Sequence, residues 1–319
     1  MRIVVLDGFA LNPGDNPWDK VAELGQLSVY DRTAPDQVLE RAKDADVLLT
    51  NKTVLSREIL AQLPNLKFVS VLATGYNIVD TAAAAELGIP VSNVPAYSTN
   101  SVAQLTFALI LELCHGTARH SDSVHSGGWV QAKDYSYWVQ PLMELKDKVI
   151  GIIGMGAIGQ KVGEIASAFG MKVLAYNPHR RELNVPYSFT YVTLEELYAN
   201  SDFITLHCPM KGDNAEMINR AAIEQMKPSA FLINTARGQL ICEADLADAL
   251  NCGRIAGAAL DVLSCEPPKA DNPLLNAKNA LITPHIAWAT AEARKRLMQV
   301  TADNIRAFQC GTPINVVNQ

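Results

Sequence analysis

Three residues in the second half of the chain share one kind of position. Arg237 closes the stretch FLINTARG, Glu266 ends the run in AALDVLSCEPP, and His285 follows ALITP. Each stands just past an apolar run, where a sheet's carboxyl edge faces a ligand crevice in open α/β folds. An arginine there offers a planar fork for a carboxylate, with donors left over to polarise a neighbouring carbonyl. A histidine can hand a proton to that carbonyl oxygen. A glutamate on the far ring nitrogen fixes the tautomer and favours the imidazolium. Taken singly, each has a plainer role: a wet turn, a capping acid before Pro267 and Pro268, a satisfied strand-end histidine. Three on one edge favour chemistry on a small acid that carries a carbonyl or hydroxyl beside its carboxylate.

Upstream, VIGIIGMGAIG sets Gly154, Gly156 and Gly159 in G-x-G-x-x-G spacing, with Ala157 and Ile158 between the last two. The motif alone is weak, but an apolar strand precedes it and a helix follows directly. In that context the first glycine makes the tight turn, the second admits a pyrophosphate, and the third lets helix and strand pack closely. The helix N-terminus adds free N–H groups and partial positive charge. A dinucleotide beside the Arg, Glu and His points to reversible hydride transfer between a nicotinamide and a 2-hydroxy or 2-keto acid. About 20 residues on, an acid usually holds the ribose hydroxyls. Here AYNPHRRE has Asn177, followed by Arg180 and Arg181. Asn can bond a hydroxyl without repelling a 2′-phosphate, and the arginines can pair with that phosphate or stay solvated. NAD(H) and NADP(H) are both open.

The elements that must carry these residues alternate. MRIVVLD, QLSVYD, ADVLLTN and LKFVSVLA read as strands, and TAPDQVLERAKD as a helix with a Thr33 cap. An Ala-rich helix and a short strand follow in DTAAAAELGIPVSNVP. The alternation predicts a parallel sheet. YSTNSVAQLTFALILELCHGTARH reads as one long helix, and residues 119–142 as an irregular arm rich in Gly and aromatics. A second α/β unit begins at KVIGIIG, and the amphipathic TAEARKRLMQVTADNIRAFQCG closes the chain against Gly311. The expected organisation is nested: residues 1–98 plus 289–319 form one domain and 99–288 the other.

A length of 319 residues agrees with two cores. The net charge of −6, with no dense basic run, argues against nucleic acid as a partner. The first apolar run is too short for a signal peptide or membrane span, so a cytoplasmic protein without a membrane partner is expected. Six scattered cysteines, none in a C-x-x-C pair, read as buried small hydrophobes rather than a disulfide frame or metal site.

GMGAIG, NTARG, DVLSCEPP and TPHIAW, in that order, resemble the D-isomer-specific 2-hydroxyacid dehydrogenase family over essentially the whole chain. ATGYNIVD and NVPAYSTNSVAQLTFALIL are most similar to its glycerate dehydrogenase (hydroxypyruvate reductase) branch. The resemblance implies two Rossmann-like α/β domains, a flavodoxin-like outer one and an NAD(P)-binding inner one, with parallel sheets and a cleft between them. It implies that Arg237 binds carboxylate and carbonyl, that His285 is the acid/base, and that Glu266 is its partner. Backbone amides near Thr74, Gly75 and Tyr76 would meet the substrate carboxylate. Thr106, Thr235 and Ala236 would approach the nicotinamide, Asp261 its carboxamide or ribose side, and His207, Cys208 and Pro209 the adenosine half. Trp288 either walls the substrate pocket or simply packs. Ile78 replaces the second Asn that relatives often carry in GYNNVD. A homodimer with an exchanged arm would occupy residues 119–142, Trp129 included.

The expected activity converts hydroxypyruvate or glyoxylate to D-glycerate or glycolate. A D-lactate-type dehydrogenase of another acid keeps the mechanism and changes the pocket. An NAD(H)-sensing binding protein on the same scaffold would not need Arg237, Glu266 and His285 together.

Overall fold

Short runs rich in Val, Ile, Leu and Phe suit strands covered on both faces. The computed structural model describes residues 1–318, and such runs supply most of its twelve strands. They are β1 (Arg2–Val5), β2 (Gln26–Val29), β3 (Val47–Thr50), β4 (Phe68–Val71), β5 (Val91–Ser92), β6 (Val149–Ile153), β7 (Lys172–Tyr176), β8 (Phe189–Tyr191), β9 (Phe203–Leu206), β10 (Phe231–Asn234), β11 (Gly257–Leu260) and β12 (Ala280–Ile282). The chain divides into two compact units, Met1–Ser98 together with the segment from Trp288 onward, and Thr99–Ala287.

The first unit holds a five-stranded parallel sheet in the order β2-β1-β3-β4-β5. Strands β3 and β4 are buried throughout, whereas β2, at the edge, is mostly exposed and more polar. The closing helix Ala291–Gln309 begins at Thr290, whose hydroxyl accepts the Ala293 amide, and buries Ala293, Leu297, Met298 and Ile305 on the sheet. Phe308 stacks on Phe68 at 4.6 Å. Arg294, nearly buried on that helix, grips Asp15 through two nitrogens at 2.5 and 2.6 Å. Thr33 does not cap the first predicted helix. Its hydroxyl donates to the Leu6 carbonyl, and the helical turn starts instead at Pro35 with Gln37 reaching back to the Ala34 amide. A proline at the first helical position has its φ already set, which moves the start.

The second unit holds a seven-stranded parallel sheet in the order β12-β11-β10-β9-β6-β7-β8. The chain runs outward from β6 to β8, then resumes on the other side of β6 at β9. That reversal creates a crevice at the carboxyl ends of β6 and β9. Helix Thr99–His115 covers the sheet with Ala103, Phe107, Ile110 and Cys114. It is not continuous to residue 120. Gly116 adopts φ +53°, and a second helix, Thr117–His125, leaves at 55°. A left-handed residue cannot propagate a right-handed helix, and glycine takes that conformation at least cost. Residues 126–142 then fold back without strand or helix, tied by Ser123 to the Tyr137 hydroxyl at 2.9 Å and by the Val139 amide to His120 Nε2 at 3.0 Å.

No single helix among the described residues is long and apolar enough to cross a membrane. The cysteines correct the composition-based expectation. Cys114 is buried and Cys208 and Cys242 half-buried, but Cys252, Cys265 and Cys310 are exposed, all as free thiols.

Candidate active site

The glycine turn is local chemistry realised as written. Gly154 follows β6 at φ +104°, and a Cβ there would stand 2.6 Å from the Cys208 amide nitrogen. Gly159 lies on helix Ala157–Ala168, and a Cβ there would meet the Gly154 carbonyl oxygen at 2.1 Å. Gly156 differs. It caps the helix without a side-chain bond, and no heavy atom lies within 4 Å of its would-be Cβ. Open space beside the first-turn amides of Ala157, Ile158 and Gly159 fits a diphosphate group, because those N–H groups have no acceptor within the helix.

Asn177 follows β7. Its Nδ2 donates to the His179 carbonyl at 3.0 Å, which leaves Oδ1 as an acceptor for a ribose hydroxyl. Arg180 and Arg181 are exposed just beyond, with the Arg180 guanidinium 5.8 Å from the Tyr191 ring centroid. On the other side of β6, His207, Cys208 and Pro209 follow β9. His207 Nε2 pairs with Thr205 Oγ1 at 2.8 Å, while its buried Nδ1 has no partner among the described residues. Burial pushes the His207 pKa down to about 3, so the ring is neutral, and burial pushes the Cys208 thiol up.

Three more strand ends complete this edge. Beyond β10, Arg237 is exposed. One guanidinium nitrogen donates to the Ala236 carbonyl at 2.7 Å, and the rest of the fork is left for a ligand. Thr235 pairs with Thr106 of the covering helix, hydroxyl to hydroxyl at 3.2 Å. Beyond β11, Glu266 Oε1 accepts the Leu263 amide at 3.2 Å, and its Oε2 lies 2.6 Å from His285 Nδ1. His285 lies beyond β12, and its Nε2 carries no hydrogen bond among the described residues. The carboxylate at Nδ1 fixes which nitrogen is bonded within the protein and leaves Nε2 as the one open to a ligand. The His285 backbone is left-handed, φ +54°.

Asp261, at the end of β11, is buried. Its Oδ1 accepts Thr283 Oγ1 at 2.6 Å and the Ile286 amide at 2.9 Å, and its Oδ2 accepts the Ala287 amide at 2.8 Å. Burial raises its pKa, and the three donors oppose that shift. Thr283 and Asn234 were not singled out from the sequence. Asn234 is fully buried, with Oδ1 accepting the Ala236 amide at 2.9 Å and Nδ2 donating to the Arg237 carbonyl at 2.8 Å. An Asn two residues before such an amide is a recognisable turn signature, so NTARG itself carried the signal. Gly238 was also missed. A Cβ there would stand 1.9 Å from the Leu263 carbonyl carbon, so the Arg237 turn rests directly on the backbone leading to Glu266.

In the other unit, the Thr74 hydroxyl donates to the Val94 carbonyl at 2.9 Å, and its own carbonyl accepts Asn93 Nδ2 at 2.7 Å. These bonds shape the Thr74–Gly75–Tyr76 turn, whose three amides donate to no protein acceptor among the described residues. Trp288 belongs to this same unit and packs edge-on to Tyr97 at 6.4 Å. Ile78 packs against the sheet's core.

Comparison with known proteins agrees with this arrangement. The family model described as D-isomer specific 2-hydroxyacid dehydrogenase, NAD binding domain, matches residues 107–287. A hydroxypyruvate reductase from Blautia hydrogenotrophica is 50% identical over the full length of both chains. A glycerate dehydrogenase from Methylorubrum extorquens is 40% identical over 90% of each. Among solved structures, an acyclic imino acid reductase in complex with NADPH and D-Arg superposes with a TM-score of 0.87 at 32% identity, covering 99% of this chain and 100% of that one. A dinucleotide turn, an Arg–His–Glu edge and these likenesses converge: the chain belongs to the D-isomer-specific 2-hydroxyacid dehydrogenases and takes NAD(H) or NADP(H).

Proposed function

We propose that the chain reduces hydroxypyruvate to D-glycerate and glyoxylate to glycolate, reversibly. The observation that supports this most is the 2.6 Å pairing of His285 with Glu266 on the same sheet edge as Arg237. It is joined by half-identity, over the whole length, to a hydroxypyruvate reductase. Bound nicotinamide supplies a hydride to the carbonyl carbon in reduction and takes one up in oxidation. Arg237 grips the substrate carboxylate with its fork and draws electron density from the carbonyl oxygen. His285 Nε2 donates the proton that oxygen needs, and recovers it in the reverse direction. Glu266 steadies the imidazolium through Nδ1. Gly156, Ala157, Ile158 and Gly159 hold the diphosphate, Asn177 the ribose, and His207, Cys208 and Pro209 border the adenosine. Thr106, Thr235, Ala236 and Asp261 border the nicotinamide side. The open amides of Thr74, Gly75 and Tyr76 suit a carboxylate.

Arg180 and Arg181 are the groups that would pair with a 2′-phosphate. The test is loss of nicotinamide absorbance when hydroxypyruvate, glyoxylate and pyruvate are crossed against NADH and NADPH. Turnover fastest with hydroxypyruvate is expected. Dinucleotide binding with no turnover of any of these acids would overturn the reading, in favour of a dehydrogenase of another acid or of a sensor.

A homodimer is the second part of this reading. Trp129, Val130, Tyr135, Trp138 and Leu142 are exposed along one segment, Val130 and Tyr135 at 90% and 91%. So much apolar surface on one stretch suits a protein interface, and a second copy of the chain is the proposed occupant. Sedimentation of the parent and of Trp138→Glu with Val130→Glu tests it, a monomeric parent being the adverse result.

A further inference from the structure

Two buried polar side chains at this sheet edge do something the reaction scheme does not call for. The strand ends of β10, β11 and β12 continue their pairing past the last strand residue: the Asp261 amide donates to the Asn234 carbonyl at 2.9 Å, and the Thr283 amide to the Leu260 carbonyl at 2.9 Å. Asn234 is in register with Leu260 and Leu260 with Ile282, so Asp261 and Thr283 stand level, one position beyond Asn234, at the ends of three neighbouring strands. From those ends, the Asn234 side chain reaches forward to close the turn that carries Arg237. The Asp261 side chain reaches forward to close the loop that carries His285.

The loop needs closing. His285 sits at φ +54°, a conformation that L residues adopt only where the surroundings over-determine it. Most of the bonds that hold it come from Asp261, beside the Thr283 carbonyl, which also accepts the His285 amide at 3.0 Å. Asp261 accepts the His285 amide at its carbonyl, 2.8 Å, and takes Thr283 Oγ1, the Ile286 amide and the Ala287 amide at its carboxylate. All three side-chain partners are placed as donors, an arrangement that suits a carboxylate. An amide in its place would turn an NH2 toward one of them and lose that bond.

We propose that Asp261, acting through Thr283, and Asn234 are positioning residues that set the imidazole of His285 and the guanidinium of Arg237 in register with each other. The inference rests on the proposed reduction of a 2-keto acid. Thr283 is the side chain on which it can be tested cleanly, because Asp261 also stands among the residues proposed to border the nicotinamide.

The experiment compares the parent, Thr283→Val, which keeps shape and removes the hydroxyl, and Thr283→Ser, which restores it. For each, kcat and KM for hydroxypyruvate, the dinucleotide Kd and the Tm are measured. The His285 ring is also followed by nitrogen-15 NMR of histidine-labelled protein. Loss of a hydrogen bond to a buried charged group predicts a kcat about ten- to a hundredfold lower in Thr283→Val, with KM and Kd within about threefold. Thr283→Ser should recover to within about threefold of the parent. A Thr283→Val enzyme within twofold of the parent overturns the proposal. So does a Thr283→Ser enzyme as impaired as the valine variant, since the methyl would then be what matters. Should the parent turn over no acid at all, the functional reading fails separately, and the ring signal decides. A His285 Nδ1 resonance shifted or broadened in Thr283→Val supports the positioning role, and an unchanged one overturns it.

Discussion

His285 Nδ1 stands 2.6 Å from Glu266 Oε2, and this short contact joins two loops that leave neighbouring strands, β12 and β11. The two side chains are 28% and 33% exposed, so the pair is shielded enough to matter and open enough to reach a substrate. On the proposed reading, this contact serves to orient a proton donor rather than to add bulk stability.

Glu266→Gln should therefore keep the fold and dinucleotide binding while kcat falls about ten- to a hundredfold, the range for losing a charge-assisted hydrogen bond. Steady-state kinetics with a parallel dinucleotide titration checks it. A Gln variant as fast as the parent would reduce the contact to a packing feature.

Arg237→Lys keeps the positive charge and loses the planar fork. The side chain is exposed and its one internal bond is to the adjacent Ala236 carbonyl, so the Tm should not move. kcat/KM should drop about a hundredfold or more, because a point charge cannot hold carboxylate and carbonyl together. Near-parental kcat/KM would mean that the carboxylate is held elsewhere.

The two glycines of the turn make opposite demands. Gly156→Val adds a side chain into open space, so thermal melting should be almost unchanged while dinucleotide Kd rises about a hundredfold. Gly159→Ala forces a methyl against the Gly154 carbonyl oxygen, at 2.1 Å, and should cost about 1–3 kcal/mol of stability before any binding is measured. Melting curves and titrations on both variants separate the two effects, and equal melting losses would contradict the assignment.

His207 should show in the acid limb of stability. Burial lowers its folded-state pKa from 6.5 to about 3, so between those values the unfolded chain holds a proton that the folded one refuses. Where the unfolded state binds more protons, stability rises with pH, so this residue's contribution is lost as pH falls from 6.5 toward 3. Urea midpoints measured from pH 7 to pH 4 should fall less steeply in His207→Gln than in the parent. Parallel slopes would mean that the ring takes its proton without unfolding.

Much of the site could be read in one dimension because its chemistry is local. A strand, a turn and a helix start lie within the eleven residues of VIGIIGMGAIG, and backbone sterics alone demand glycine at the first and third positions. Arg237, Glu266 and His285 were legible for a related reason: a polar residue just past an apolar run marks a strand's carboxyl end in a parallel sheet. Local rules failed where competing local signals met. Thr33 looked like a helix cap until Pro35 moved the helix start, and Gly116 broke a helix that its apolar pattern would have continued. Cysteine burial was misjudged because composition does not say which strand end or helix terminus a thiol sits on.

The sequence by itself determined the two alternating α/β units, the glycine turn and the placing of Arg237, Glu266 and His285 just past strand ends, since each follows from periodicity or steric need within a short window. Only the tertiary structure decided that Asp261 and Thr283, twenty-odd positions apart, meet across the ends of β11 and β12, that Asn234 lies beside them, and that Gly238 lets one active-site loop rest on another. Those contacts depend on strand order and register, and register is set by the packing of the whole sheet rather than by any one of its strands.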